Sequence, residues 1–204
     1  TYKLRRQVLW AVVATLCMVI TWNTDYRIYA RYRRLILAGT VVLLLCVYLP
    51  GIGREVNGAH RWLRIGSLSV QPSELAKVAM VIYVAASMDR LGDKAKSFTK
   101  GFLPLAGIIA FVSLLVLVEP DFGTGSFIAA LGFALMFIGG VRVAHVMAFG
   151  SAALLPLLGM LALRFEHVRQ RFSIFLNIDA DPLGKCYQIK QSLIALGSGG
   201  LFGL

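Results

Sequence analysis

Long uninterrupted apolar blocks constrain this chain more than any other feature. There are about six of them, and each approaches the roughly 20 residues that a helix needs to cross a bilayer. They show no strict alternation of apolar and polar residues, which half-buried strands require. Only helices and closed barrels satisfy their backbone in lipid, so we predict helices and expect no sheet. The blocks are 8–22, 35–49, 73–88, 102–118, 124–139 and 143–163.

The composition supports a membrane protein over a soluble one. Apolar residues make up 58% of the chain and charged residues 15%, against about 45–50% and 25% in soluble domains. A large soluble helical core is disfavoured because the blocks lack polar faces. We therefore predict an all-α, polytopic transmembrane helix bundle with a single domain over 1–204. The first residue, Thr1, and the Gly-rich end suggest a fragment.

The net charge of +11 indicates anionic partners. In a membrane protein these are lipid head groups or a phosphorylated substrate, and nucleic acid is excluded as a partner. Cys17, Cys46 and Cys186 give neither a disulfide framework nor a metal-binding pattern.

The loops between the spans alternate between two sides of the membrane, which we name side X and side Y. Side Y loops are short and basic, as loops that face the cytoplasm usually are. Side X loops are longer and mix carboxylates, amides and aromatic residues with basic ones, which is typical of a functional site. Side X receives 1–7, 50–72, 119–123 and 164–190, and side Y receives 23–34, 89–101 and 140–142.

Glu74 and Lys77 lie three residues apart at the start of the third span. This spacing places them on one face of a helix. Ionisable groups at membrane depth are costly and usually functional. The pair either serves a substrate site or stabilises the bundle as a mutual ion pair, and the two interpretations are compatible.

Two further clusters fall on side X. Glu119 and Asp121 lie on either side of a helix-ending proline, and Asp121 is equally suited to cap the following helix. Arg61 and Arg64 lie close to Trp62. The two arginines either bind phosphate or lie at lipid head groups with Trp62 as an interfacial anchor.

The polar stretch 164–192, which follows the sixth span, is the fourth cluster. Asp181 precedes a proline there, which on its own indicates a simple turn. A carboxylate surrounded by cations stays ionised, and it can act as a general base or bind a metal. Together the side X clusters suggest group transfer on a lipid-linked phosphorylated substrate. The stretch also contains Lys185, Gln188, Gln191 and Ser192.

Four segments occur in an order and spacing that a known family shares. They read Asn57-Gly58-Ala59-His60-Arg61-Trp62, Gln71-Pro72-Ser73-Glu74-Leu75-Ala76-Lys77, Glu119-Pro120-Asp121-Phe122-Gly123-Thr124, and Asp181-Pro182-Leu183-Gly184 with Tyr187-Gln188 and Gln191-Ser192. These motifs resemble the SEDS family, the bacterial shape, elongation, division and sporulation proteins of the RodA, FtsW and SpoVE type. The stretch 50–58 looks more like the division and sporulation branch than the elongation branch.

The resemblance implies a bundle of roughly ten transmembrane helices in the bacterial cytoplasmic membrane, with both termini cytoplasmic and the active site facing outside. The chain would then lack the first and last helices, and 164–192 would be a large extracellular loop. The implied activity is that of a peptidoglycan glycosyltransferase that polymerises lipid II in division, elongation or sporulation, beside a class B penicillin-binding protein. The family's essential Asp is Asp181 in this chain. Lys185 and Cys186 stand where the family usually has a small residue and Gly.

This resemblance supports a mechanism in which Asp181 is the general base for the 4-hydroxyl of an acceptor lipid II. The leaving group, undecaprenyl pyrophosphate, needs cations rather than an acid. The cation candidates are Arg61, Arg64, Lys77 and Lys185, and a divalent cation, Mg or Mn, is a further option. Gln188, Gln191 and Ser192 complete the substrate-binding candidates, and Glu74 is expected to position Lys77. Residues with structural or secondary roles are Trp62, Gln71, Pro72, Glu119 and Asp121.

Two other functions remain open at this stage. A lipid II flippase needs a cavity through the bundle, and Glu74 and Lys77 at membrane depth would line it. A scaffold for the penicillin-binding protein needs no chemistry of its own. Translocation that survives loss of Asp181 would favour the flippase, and polymerisation by the purified protein would exclude the scaffold.

Overall fold

Helices dominate the part of the chain that the structure describes. The computed structural model describes residues 2–49, 53–56, 59–65, 68–119, 121–149, 159 and 187–200. The chain divides into two compact units, Thr1–Val146 and Met147–Leu204. The helices are α1 (Tyr2–Trp22), α2 (Tyr26–Cys46), α3 (Pro72–Leu91), α4 (Leu103–Val118), α5 (Phe122–Ile138), α6 (Val143–Phe149) and α7 (Tyr187–Ser198).

The helices extend beyond the apolar blocks into polar flanks. α2 begins at Tyr26, so the prediction of a loop over 23–34 is wrong for most of that stretch. Asp25 explains the early start, because its side chain accepts a hydrogen bond from the Arg27 main-chain N–H at 2.9 Å and caps the helix. Arginine is also a good helix former, and its long side chain reaches from a helix end to the membrane surface.

The connection between α3 and α4 is also helical where a loop is predicted. α3 runs to Leu91, a 3-10 turn spans Gly92–Lys96, and a π-helical turn spans Phe98–Phe102. Gly92 has a φ of 50°, a left-handed conformation that suits glycine at the end of a helix. The predicted loop 89–101 is therefore a compact helical corner, because the chain turns at glycine and not over a polar run.

Two described helical stretches are long and apolar enough to cross a membrane, Leu4–Trp22 and Phe98–Val118. Phe122–Ile138 is a shorter apolar helix. α2 and α3 have 21 and 20 residues but carry more charge, and a span needs roughly 20 residues. No α1 side chain from Leu4 to Trp22 is buried within the structure. A helix this apolar on all sides needs an apolar surrounding, which a bilayer supplies.

The segment between α2 and α3 folds into a three-stranded antiparallel sheet, so the expectation of no sheet is wrong. Its strands, in spatial order, are β1 (Gly53–Val56), β2 (Ala59–Ile65) and β3 (Leu68–Val70). The segment lies outside the apolar blocks, where water satisfies the free edges of a sheet. The argument from lipid therefore does not apply to it.

The sequence contains a signal for this sheet that the apolar blocks conceal. Val56 pairs with Ala59 and Ile65 pairs with Leu68, so each connection has two residues. The sequence at these connections is Asn57-Gly58 and Gly66-Ser67. Such dipeptides between apolar runs are strong predictors of a β-hairpin.

Small residues bring α4 and α5 together in the core of the first unit. A Cβ atom added at Gly132 would lie 2.8 Å from Ile109 Cδ1, and one added at Gly125 would lie 2.9 Å from Leu117 Cγ. Glycines at these two places let the helices approach closely, as in other membrane bundles. α3 packs on α2 and on α5, and this arrangement fixes the relative positions of the helix ends.

Replacing Gly132 with alanine is expected to lower the free energy of unfolding by about 1–3 kcal/mol, because Ile109 has to move to admit the methyl group. The measurement is the Tm of the full-length protein in detergent. Gly107→Ala on α4 is the matched control, since its added Cβ would meet nothing within 4 Å. Equal Tm values for the two variants would contradict the close approach of α4 and α5.

Candidate functional site

Two of the predicted side X segments, 50–72 and 119–123, meet at one end of the bundle. Arg61 on β2 donates from its Nε to the main-chain carbonyl oxygen of Glu119 at 3.0 Å. Gln71, directly before α3, donates from its Nε2 to Asp121 Oδ2 at 3.1 Å. These two bonds join the sheet, the start of α3 and the turn between α4 and α5. The predicted grouping of 50–72 with 119–123 is therefore confirmed.

Two of the predicted side Y segments, 89–101 and 140–142, lead into elements that meet elsewhere in the same unit. The His145 ring on α6 lies 5.3 Å from the Phe98 ring and 5.8 Å from the Phe102 ring, measured between centroids. Phe98 and Phe102 lie in the π-helical turn of the corner after α3, and His145 follows the turn after α5. The assignment of loops to alternate sides thus agrees with the contacts at both ends of α3, α4 and α5.

Asp121 connects two elements through one carboxylate. Its Oδ1 accepts from the Thr124 main-chain N–H at 3.1 Å, and its Oδ2 accepts from the Thr124 hydroxyl at 3.0 Å. The capping interpretation is therefore confirmed. The Gln71 bond is additional, because it joins the N-terminus of α5 to that of α3.

Removing the Asp121 carboxylate, as in Asp121→Ala, is expected to lower the free energy of unfolding by about 1–3 kcal/mol. The variant loses the α5 cap and leaves the Gln71 amide without its acceptor. Asp25→Ala is the matched control, because Asp25 caps α2 through Arg27 in an exposed position. Tm measurements on the full-length protein should show the larger loss for Asp121. A loss no larger than that of Asp25→Ala would argue against a contribution from the Gln71 bond.

Glu74 and Lys77 form the ion pair that their spacing predicts. Lys77 Nζ lies 2.7 Å from Glu74 Oε2, and the Lys77 side chain is only 29% exposed whereas that of Glu74 is 57% exposed. The ammonium also lies 5.7 Å from the centroid of the Phe127 ring on α5, within the range of a cation–π contact. The half-buried ammonium is thus held between α3 and α5, while the substrate-binding role of the pair stays a prediction.

Glu119 is the most unusual carboxyl group at this end of the bundle. It is 1% exposed, and neither carboxyl oxygen has a hydrogen-bond partner among the described residues. Burial, and after it the neighbouring Asp121, raise the pKa of Glu119 to about 7, while Arg61 opposes the shift. The sequence indicates a polar turn at this position and gives no sign that the side chain is buried.

The remaining predicted residues fall in several places. Trp62 is half-buried on β2, and Pro72 is buried in the first turn of α3. Arg64 lies opposite Ser69 in the sheet. Gln188, Gln191 and Ser192 belong to α7, so the end of the predicted loop 164–192 is helical from Tyr187. Asp181 and Lys185 lie outside the described residues.

The donor set of this site does not match a metal centre. Within the described ranges no group of three or more His, Cys, Asp and Glu side chains that could hold a metal ion is found. The expectation of a divalent cation stays a prediction, since Asp181, the carboxylate proposed to act as base or to bind a metal, lies outside the described residues.

Comparisons with known proteins agree with the motifs over the whole chain. The family model of the FtsW, RodA and SpoVE cell cycle proteins matches residues 1–204. A probable peptidoglycan glycosyltransferase FtsW of Geobacter sulfurreducens is 37% identical over 202 residues, which are 99% of this chain and 54% of that protein. Stage V sporulation protein E of Bacillus subtilis is 35% identical over 98% of this chain and 54% of its own length. The chain thus spans about half the length of these curated relatives.

Solved structures show the same fold. A chain from a peptidoglycan synthase complex that coordinates polymerisation and crosslinking superposes with a TM-score of 0.75 at 28% identity, over 97% of this chain and 57% of that one. The rod shape determining protein RodA of Thermus thermophilus gives a TM-score of 0.54 at 23% identity, over 74% of this chain and 48% of that one, and shows the fold alone. The fold is thus a polytopic transmembrane helix bundle, and the chain belongs to the FtsW/RodA/SpoVE family of cell cycle proteins.

Proposed function

We propose that this chain is part of a peptidoglycan glycosyltransferase that polymerises lipid II at the outer face of the bacterial cytoplasmic membrane. The names of the curated relatives support this activity, and they point to division or sporulation. One structural observation carries the proposal furthest. Arg61 bonds to the turn between α4 and α5, and α3, which carries Lys77, begins beside the same turn.

The proposed reaction explains why cations are needed at that end. The 4-hydroxyl of the acceptor attacks C1 of the donor disaccharide, and its proton passes to the Asp181 carboxylate. The C1–O bond to phosphate breaks, and its electron pair leaves with undecaprenyl pyrophosphate. Direct attack inverts the configuration at C1. A pyrophosphate needs little protonation but gains from fixed positive charge in the transition state, which Arg61 and Lys77 are suited to supply.

The ion pair with Glu74 gives Lys77 a defined position before substrate binds. Holding a charged group in place in advance avoids reorganisation during the reaction. The contact with Phe127 limits the ammonium further, because α5 then borders it on one side. The proposal retains the further substrate-binding groups that the motif resemblance implies, which are Lys185, Arg64, Gln188, Gln191 and Ser192.

The same comparison supports the proposed partners. A related chain occurs in a complex that coordinates polymerisation and crosslinking. A polymerase that makes uncrosslinked strands needs a crosslinking enzyme close by. We accordingly include a class B penicillin-binding protein as partner, with lipid II as substrate and membrane lipid as surroundings. A divalent cation stays a further option beside the cationic side chains.

The proposal is tested with the purified full-length protein and fluorescent lipid II in detergent or liposomes. The penicillin-binding partner is added with its transpeptidase blocked, so any polymer reflects glycosyl transfer alone. Glycan ladders on a gel are the expected result. A protein that forms no polymer, yet moves lipid II head groups across vesicles, would replace the polymerase with the flippase. A protein that does neither would leave only the scaffold.

A further inference from the structure

A buried carboxyl group belongs to the residue that binds one of the proposed substrate-binding cations. Glu119 ends α4, and its main-chain carbonyl oxygen accepts the Arg61 Nε–H at 3.0 Å. Its carboxyl oxygens accept nothing among the described residues, although the side chain is only 1% exposed. Glu119 thus offers Arg61 two kinds of acceptor, a main-chain carbonyl oxygen and a carboxyl group. In the structure, the Arg61 Nε–H bonds to the main-chain carbonyl oxygen.

The acceptor that Arg61 uses indicates whether the Glu119 carboxyl group is charged or uncharged. A guanidinium bonds more strongly to an ionised carboxylate than to a peptide carbonyl, often through two parallel bonds. An ionised carboxylate left buried without partners is also costly. The bond from Arg61 to the main-chain carbonyl therefore belongs with an uncharged Glu119, and an ionised Glu119 would compete for Arg61.

The groups that act on Glu119 come from several elements. Arg61 on β2 favours its ionised form, whereas burial and Asp121 at the N-cap of α5 disfavour it and bring its pKa to about 7. Tyr48, just after α2, also interacts electrostatically with this carboxyl group. Partial burial, and after it the Glu119 charge, raise the pKa of Tyr48. From α3, the charged groups at this end are Glu74 and Lys77, which pair with each other.

We propose that Glu119 is a positioning residue for Arg61 whose uncharged form holds the guanidinium at the site and whose ionised form withdraws it. The inference rests on the proposed function, in which Arg61 binds the pyrophosphate of the donor. When Glu119 ionises, Arg61 moves its hydrogen bond from the main-chain carbonyl to the carboxylate. The guanidinium is then no longer available to bind the pyrophosphate of the substrate. The site thus carries its own dependence on pH.

The test compares the pH dependence of lipid II polymerisation by the wild-type and Glu119→Gln full-length proteins. With a pKa of about 7, the uncharged fraction falls about tenfold between pH 6 and pH 8. Glutamine is uncharged throughout. The activity of Glu119→Gln relative to wild type should therefore rise about tenfold over this range. Asp93→Asn, which removes an exposed carboxylate in the Gly92–Lys96 turn, should follow wild type at every pH.

A second measurement does not depend on activity. Because folding raises the pKa of Glu119 above its ordinary value, the folded protein binds the extra proton, and the stability that this group contributes is fully present only below the ordinary carboxyl pKa. The Tm of the wild type should fall as the pH rises through about 7, and the difference in Tm between Glu119→Gln and wild type should grow. A constant difference in Tm would overturn the buried titration.

The activity ratio and the Tm series together distinguish a failure of this inference from a failure of the proposed function. A constant activity ratio between pH 6 and pH 8, together with a growing Tm difference, would show that Glu119 titrates without controlling Arg61 and would overturn the inference. If the wild-type protein forms no glycan at all, the proposed function fails. The Tm series still decides whether Glu119 titrates near neutral pH.

Discussion

Replacing Lys77 with methionine in the full-length protein is expected to lower the rate of lipid II polymerisation by about 100- to 1,000-fold. The variant removes a fixed positive charge from the position where we place the leaving pyrophosphate. Methionine keeps the length and the apolar stem of lysine, so packing against Phe127 on α5 survives. Glu74 is 57% exposed, so its carboxylate stays solvated when its partner is lost. Gel analysis of glycan formed from fluorescent lipid II measures the effect.

Lys96→Met is the matched control for this variant. Lys96 forms the same kind of pair, with Nζ 2.9 Å from Asp93 Oδ1 at the same spacing, but its side chain is 60% exposed and lies in the side Y corner. Exposed pairs contribute little, so activity is expected to stay within about twofold of wild type. A loss of similar size in both variants would point to overall charge. Near-normal activity of Lys77→Met would restrict the Glu74–Lys77 pair to a structural role.

The parts of the fold that follow from the sequence are those with a one-dimensional pattern. Apolar blocks predict where α1 to α5 lie, because burial in lipid demands continuous apolar surface. Counting the blocks also assigns the loops to sides, and that assignment brings Arg61, Gln71 and Asp121 to one end. The Glu74–Lys77 pair and the Asp121 cap follow from spacing alone, since both are local to a single helix turn.

The parts that do not follow from the blocks depend on other kinds of information. The start of α2 at Tyr26 is set by a cap at Asp25, which hydropathy does not register. The sheet over 53–70 is indicated by two hairpin dipeptides, and the positions of the apolar blocks carry no information about them. Neither feature is hidden in principle, because both have local sequence signals.

Glu119 is different, because no local signal marks it. A Glu beside a proline and an Asp looks like an ordinary solvated turn. It is buried in the folded chain, where Arg61 of β2 binds at the turn between α4 and α5. The bond from Arg61 to its main-chain oxygen joins residues 58 positions apart in sequence. Such a bond depends on tertiary packing, so it can be identified only from the structure.

The Asp181→Asn variant of the full-length protein is expected to lower polymerisation by about 100- to 10,000-fold, the range that a general base commonly contributes. Asparagine matches aspartate in shape but cannot accept the proton of the acceptor hydroxyl. Substrate binding should change little, so the loss should appear in kcat more than in KM. A correctly folded variant, with the Tm of the wild type, that makes glycan chains at a near-normal rate would remove Asp181 from the role of base.

Combining this variant with Lys77→Met tests whether the two residues serve one reaction centre. Groups that act on the same transition state lose less together than the sum of their separate losses, because the first change already disables the shared step. We expect the double variant to be little slower than the slower single variant. Full additivity of the two losses in activation free energy would place Asp181 and Lys77 in separate sites, and the cations at the end of α3 would then serve binding or transport of the lipid rather than departure of its pyrophosphate.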